Sequence, residues 1–257
     1  MVSEMEIKEL KVADYMTRHP VTVGSEVTFP DAVTIMTEKG IGNLIVTENG
    51  RAIGILTERE ILQYLVLSRE FPEKPIKDII TRSFARIRPD TSILDAARTM
   101  ISDKTRLLVF DDNKLVGIIT ASDLVRAFRG TGRNPPLEGV ITMKLFKVPY
   151  DDTIFSAIKM MHEKRIGSVV VTKNEIPYGI FTERDLLVNV LAKDVDLEEK
   201  VGEHCSKPLI TTLIGIRASD AASIMSANNI KRLVIRKDGD PVAIVTARDL
   251  VEAFQKV

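Results

Sequence analysis

The stretch Gly179-Ile-Phe-Thr-Glu-Arg-Asp185 recurs three more times, as Gly54-Ile-Leu-Thr-Glu-Arg-Glu60, Gly117-Ile-Ile-Thr-Ala-Ser-Asp123 and Ala243-Ile-Val-Thr-Ala-Arg-Asp249. Its threonines, Thr57, Thr120, Thr182 and Thr246, lie 63, 62 and 64 residues apart. A fixed period of this kind marks one structural unit written several times. In each copy a small residue and two apolar residues end a buried strand. A Thr followed three places later by Asp or Glu then opens a helix, the pattern of a capping box. The helix carries apolar residues at helical spacing, as in Leu186, Leu187, Val190 and Leu191 or Leu250, Val251 and Phe254, so one face packs on a core.

A second series runs in phase with the first: Ala32-x-x-x-Met36, Ala96-x-x-x-Met100, Ala157-x-x-x-Met161 and Ala221-x-x-x-Met225. It marks an amphipathic helix between a short entry strand and a hairpin. Each unit therefore reads βαββα, and the fold class is α+β with mixed sheets. In the first unit the helix opens at Pro30 and Asp31, and Gly40 ends it. The hairpin turns at Asn49-Gly50, the strongest short hairpin signal. The units span 8–70, 71–130, 137–195 and 196–257. Arg129-Gly-Thr-Gly-Arg-Asn-Pro-Pro136 breaks regular structure, and the main boundary is placed there, as an exposed link between two pairs of units.

Composition sets the outer limits. The chain has 257 residues, 44% of them hydrophobic, enough for a substantial core. Lys plus Arg and Asp plus Glu each total 36, so the formal net charge is zero and no global attraction to nucleic acid or an anionic membrane is expected. No run approaches the ~18 apolar residues of a spanning helix, and the start, Met1 to Glu6, is acidic rather than a basic leader. A cytoplasmic protein without membrane contact is the expectation. Cys205 is the single cysteine, which excludes an intrachain disulfide.

The residues carry no catalytic constellation. His19, His162 and His204 fall in three different repeats with no matched Cys, Asp or Glu spacing, and neither a P-loop nor G-x-S-x-G occurs. His204-Cys205 offers two ligands of the four a structural zinc site takes, so no metal site is expected. The chain reads as a non-enzyme without a cofactor.

With its four Thr-led motifs and their period, the sequence resembles four tandem CBS domains, two Bateman modules in one chain, from about Val12 to Phe254. The arrangement is similar to the gamma subunit of the AMP-activated protein kinase. The resemblance implies paired repeats stacked into a flat disc, and a regulatory sensor that binds AMP, ADP or ATP and signals to a partner protein. It implies ribose contacts from Thr57 and Glu60, Thr120 and Asp123, Thr182 and Asp185, and Thr246 and Asp249. Val21, Thr22 and Val148 would flank adenine. Basic residues before the second strand, Arg106, Lys231 and Arg232, with Arg184, would take phosphate. By the resemblance Arg106 serves the Thr57 motif and Lys231 with Arg232 the Thr182 motif, with Gly42 and Gly167 leaving the ligand room. Thr182 and Asp185 are the fullest match. Glu60 departs from it, being longer by a methylene and the better capping partner, so its site is expected to be weaker. S-adenosylmethionine as ligand, a scaffold whose motifs are only caps, and a homodimer stay open.

Overall fold

The computed structural model describes residues 9–69, 74–103, 106–141 and 143–256. The N-terminal Met1 to Glu6, Glu70 to Glu73 of the first link, Thr105 and Thr142 lie outside them. Repeat 1 runs α1 (Val12–Tyr15), β1 (Thr17–Arg18), β2 (Thr22–Gly24), α2 (Phe29–Glu38), β3 (Asn43–Glu48), β4 (Arg51–Thr57) and α3 (Glu58–Ser68). Repeat 2 follows a 3₁₀ turn at Ile76–Asp78 with β5 (Phe84–Ile87), α4 (Ile93–Ser102), β6 (Arg106–Asp111), β7 (Lys114–Ile119) and α5 (Ala121–Arg129). Repeat 3 has β8 (Lys147–Pro149), α6 (Ile154–Glu163), β9 (Ser168–Lys173), β10 (Ile176–Thr182) and α7 (Glu183–Asp185), which continues through a π turn, Leu186–Val190, and a 3₁₀ turn, Leu191–Lys193. Repeat 4 closes the chain with α8 (Val201–His204), β11 (Thr211–Leu213), α9 (Ala218–Ala227), β12 (Arg232–Lys237), β13 (Asp240–Thr246) and α10 (Ala247–Gln255).

Within each repeat the short entry strand pairs parallel with the second strand, and the second pairs antiparallel with the third. The first of the two helices is capped by a hydroxyl in three cases: Thr28 accepts from Asp31 N, Ser92 from Asp95 N and Thr153 from Ser156 N. Asn49 and Gly50 take φ of 50° and 73°, the left-handed pair that an Asn-Gly hairpin turn requires. All four Ala and all four Met of the second series are at most 5% exposed, as the pattern predicts.

The chain divides into two compact units, and the division does not fall at the Gly130–Pro136 link. One unit holds the residues up to Pro20, Ser83–Lys144 and those from Ile210; the other holds Val21–Arg82 and Leu145–Leu209. The cores of repeats 2 and 4 thus share one unit, and those of repeats 1 and 3 the other. In the first unit Phe128 and Phe254 stack with centroids 5.3 Å apart. Each is fully buried, a contribution of about 1.5–3 kcal/mol per side chain. In the second, Leu44, Leu56, Leu65, Phe181, Leu186 and Val201 lie in one core.

The segment leading into each repeat packs elsewhere, on the core of its neighbour. Repeat 1's lead-in adds β1 to the edge of β7, Thr17 opposite Ile118. Thr81 of repeat 2's lead-in bridges Ile55 of repeat 1, and Ser206 of repeat 4's bridges Ile180 of repeat 3. Lead-ins also receive helix N-termini: Ile93 N donates to Leu10 O, Ile154 N to Glu199 O and Ala218 N to Pro135 O, each at 2.9 Å. These bonds satisfy orphan donors that the helices leave open.

The Gly130–Pro136 link is therefore pinned rather than free. Asn134 Oδ1 accepts from Ser219 N at 2.8 Å, and its carbonyl accepts from Arg217 Nε at 2.6 Å. Arg217 provides no side-chain cap for α9, and Asn134 does that instead.

The small residue heading each motif now has a reason. A Cβ on Gly179 would stand 2.7 Å from Ser206 O, one on Gly54 2.7 Å from Thr81 O, and one on Gly117 2.5 Å from the Met16 sulfur. Glycine there lets a crossing backbone approach the strand. Gly179→Ala should cost about 1–3 kcal/mol through overpacking. Gly24→Ala, whose methyl meets nothing within 4 Å, should change stability by less than about 0.5 kcal/mol. Urea unfolding monitored by circular dichroism measures both, and equal midpoints would contradict the crossing.

Candidate functional site

All four Thr-led motifs sit where the third strand becomes the closing helix, and each Thr is the N-cap. In the three Asp copies the box is complete. Thr182 N and Oγ1 donate to Asp185 Oδ2 at 2.8 and 2.6 Å, and Asp185 N returns to Thr182 Oγ1 at 3.1 Å. Thr120 with Asp123 and Thr246 with Asp249 repeat the pattern. Glu60 does not: Thr57 Oγ1 meets Glu60 Oε2 and accepts from Arg59 N, but the returning bond to the Thr57 backbone is missing. The sequence expectation that Glu makes the better capping partner is thus reversed. The shorter Asp reaches back to the N-cap amide here.

Capping consumes Oδ2, so any chemistry rests on Oδ1, and there the copies differ. Asp185 Oδ1 accepts from Ser206 Oγ at 2.6 Å and from Asn189 Nδ2 at 3.1 Å. With two bonds on each oxygen the carboxylate is saturated. Asp123 Oδ1 accepts from Arg126 Nη2 at 3.0 Å, a guanidinium that is largely exposed and also donates to Tyr15 O. Asp249 Oδ1 has no hydrogen-bond partner among the described residues. Burial pushes both Asp185 and Asp249 upward, against the downward pull of their hydrogen bonds; Arg232 also pulls Asp249 down.

The basic residues divide as well. Arg232 is the cross-strand partner of Thr246 in its own repeat, and the Lys231 carbonyl accepts from Ala247 N at 3.2 Å. Arg106 opens β6, one residue before Leu107, which lies opposite Ile119. The equivalent places of repeats 1 and 3 hold Asn43, opposite Thr57, and Ser168, opposite Thr182. The structure thus brings Lys231, Arg232, Thr246 and Asp249 together. Thr57 and Thr182 belong to the compact unit that lacks Arg106 and Arg232.

Arg184 is committed to packing. Its Nη1 donates to Ile41 O at 3.0 Å and lies 3.4 Å from Glu58 Oε1, while Arg59 Nε meets Glu183 Oε1 at 3.2 Å. These reciprocal pairs join α3 to α7. Gly42, expected to leave room for a ligand, leaves it for Glu58, whose Oε1 stands 2.9 Å from where a Cβ would be. The Gly167 carbonyl takes Glu183 N at 3.1 Å.

Of the residues expected to flank adenine, Val21 is half-buried, Thr22 is exposed, and Val148 is fully buried in the core. The matching backbone bonds are Ile45 N to Val21 O and Val170 N to Phe146 O, so Phe146, not Val148, stands in phase with Val21. Val148 is in phase with Val23, two residues further along the same face. Ser206 and Asn189 were missed altogether. Asn189 fills a place where the helical pattern asks for nothing in particular, and Ser206 is 21 residues from the carboxylate it holds.

Cys205 is buried, its Sγ donates to Gly202 O at 3.5 Å, and desolvation pushes its thiol up to about 11, so it supplies no thiolate. Among the described residues no helix is long and apolar enough to cross a membrane.

The family model of the CBS domain matches residues 12–67, 76–130, 137–192 and 201–256. The chain belongs to the CBS domain family. The crystal structure of protein MJ1225 from Methanocaldococcus jannaschii, proposed as an archaeal homologue of g-AMPK, superposes with a TM-score of 0.80, covering 95% of this chain and 100% of that one. At 19% identity that likeness shows a common fold. Protein MJ1404 of the same organism is 26% identical over 264 residues, 94% of this chain and 61% of its own length. The A-adding tRNA nucleotidyltransferase of Aquifex aeolicus is 28% identical over 123 residues, 47% of this chain and 15% of the enzyme. The CBS chain therefore spans less than two thirds of these curated relatives.

In CBS repeat 3 the raised Asp185 carboxyl has a consequence for stability. A folded pKa above the unfolded one means that the folded state binds the extra proton in the window above the ordinary carboxylate value of about 4, so stability falls as pH rises through it. Asp185→Asn removes that slope. The difference in unfolding free energy, wild type minus variant, should decline from acid pH towards neutrality. A pH-independent difference would show that Asp185 is not desolvated.

Proposed function

We propose that this chain is a non-catalytic regulatory protein that binds an adenine nucleotide, AMP, ADP or ATP, through its Thr-led motifs and passes the bound state to a partner protein. One observation carries the reading: the unfilled Oδ1 of Asp249 beside Thr246, with Arg232 directly across the strand. That oxygen keeps access to solvent, so a ligand's hydroxyls can reach it. The vicinal hydroxyls of a ribose supply two donors at once, and the guanidinium of Arg232 suits a phosphate. Lys231 adds charge at the same place. Repeat 2 offers a second version, with Arg106 at the strand start and Asp123 held by an exposed arginine that a ligand can displace. Val21 with Thr22, and Phe146, are the proposed neighbours of the base in repeats 1 and 3.

A scaffold whose motifs are only caps accounts for Oδ2 in the three Asp copies but gives Oδ1 of Asp249 and the neighbouring Arg232 no role. S-adenosylmethionine fits the ribose motif, yet its sulfonium would face Arg232 and Lys231, where a phosphate is favoured. Repeat 3, the fullest match in sequence, is the copy most occupied by its own side chains.

Melting with added nucleotide tests the reading, since a ligand at 100 times its dissociation constant adds about 2.7 kcal/mol. Asp249→Ala should remove binding at its copy while costing only the ~0.5–2 kcal/mol of a lost cap. Arg232→Ala should weaken AMP more than adenosine. Equal losses for the two ligands would show that Arg232 does not meet phosphate, and no stabilisation of the wild-type protein by any adenine nucleotide would remove the reading itself.

A further inference from the structure

Repeat 4's lead-in brings three metal-ligating side chains to one point, none of them a member of a Thr-led motif. His204 Nε2 lies 2.8 Å from Glu199 Oε2. With Glu203, the ligand atoms of the three residues all lie within 4.8 Å of one another. Glu203 and His204 belong to the single turn α8, and Glu199 stands at the bend before it, two residues ahead of the helix. We propose that Glu199, Glu203 and His204 bind one divalent transition-metal ion of the zinc, cobalt and nickel class.

Position, charge and ligand type support this. The backbone is fixed at both ends of the cluster: Glu199 N donates to Asp196 O at 3.1 Å, and the His204 carbonyl accepts from Asn189 Nδ2 at 3.1 Å. Asn189 is itself tied to Asp185, so the imidazole stands on a rigid base. The cluster's charge is unbalanced. Lys200, the one cation between Glu199 and His204, is drawn to Asp151 at 2.7 Å, and the Glu203 carboxylate has no hydrogen bond or ion pair among the described residues. The imidazole is only 15% exposed whereas Glu199 reaches solvent, so an ion would enter from the carboxylate side and meet the nitrogen behind it.

One imidazole nitrogen and two carboxylate oxygens form a borderline donor set that leaves positions open for water. It suits zinc, cobalt or nickel better than magnesium or calcium, which take oxygen ligands throughout. Binding would exchange the His204–Glu199 hydrogen bond for two coordinate bonds and neutralise the excess negative charge. In the sequence, His204 and Cys205 lack the further ligands that a four-coordinate set needs. Cys205 turns out to face the interior, and the carboxylates on the other side of the histidine take its place.

Titration of the full-length protein with Co²⁺, followed by visible absorption and calorimetry, and competed with Zn²⁺, tests the site. The expected result is one ion per chain, with affinity lowered about tenfold or more by His204→Ala and by Glu203→Gln. Cys205→Ser should bind as the wild type does. Glu203→Gln keeps the shape of an exposed residue, so its result stands even if His204→Ala fails to fold. Unchanged affinity in Glu203→Gln, loss of the ion in Cys205→Ser, or dependence on His19 or His162 instead of His204 would each overturn the proposal.

Discussion

A backbone lying within van der Waals reach of another backbone is the constraint on which this structure depends. Gly54, Gly117 and Gly179 each head a motif whose strand is approached by a lead-in segment from another repeat, at distances a Cβ would occupy. A sheet edge must be paired or covered. Here the cover comes from 27 residues further along the chain for Gly54 and Gly179, and from 101 residues back for Gly117. Two of these segments also receive the first amides of α4 and α6, at Leu10 and Glu199, so they both close a sheet edge and complete a helix start. No repeat is complete without its neighbour's entry segment.

Much of this was legible because it is local. The period of the Thr-led motif, the Asn49-Gly50 turn and the Ala-x-x-x-Met faces are decided by residues a few places apart, and the structure shows each of them as read. The exchange of lead-ins is not local. Its only trace in the sequence is a glycine inside a strand, which propensity alone would count as a weakness. The link at Gly130–Pro136 misled for the same reason. Its Gly and Pro residues do break regular structure, but Asn134 and Pro135 then bind the next module's helix.

The candidate site was legible in kind but not in detail. Reading the motif as a cap and reading it as a ligand holder are both served by one carboxylate, because its two oxygens have separate partners. The cap follows from three-residue spacing and could be foreseen. Which second oxygen is already filled depends on Ser206 and Asn189, the first supplied by a crossing segment and the second by the next turn of a helix that widens into a π turn. The best sequence match and the most available carboxylate are consequently different copies, Asp185 and Asp249.

The paired charges between α3 and α7 also govern which repeats can share a core. Glu58 and Arg59 face Glu183 and Arg184 in opposite order, so each helix supplies the charge the other lacks. At the corresponding places repeat 2 has Ala121 and Ser122, and repeat 4 has Ala247 and Arg248, whose guanidinium bonds the Met100 carbonyl at the end of α4. A repeat-1 helix laid against a repeat-2 helix would strand Glu58, which is only 15% exposed, without its arginine, and one laid against a repeat-4 helix would leave Arg59 facing Ala247 instead of Glu183. An unpaired, largely buried charge is expensive enough to reject the first arrangement. Among four near-copies joined in one chain, these crossed charges therefore favour repeats 1 and 3 as partners.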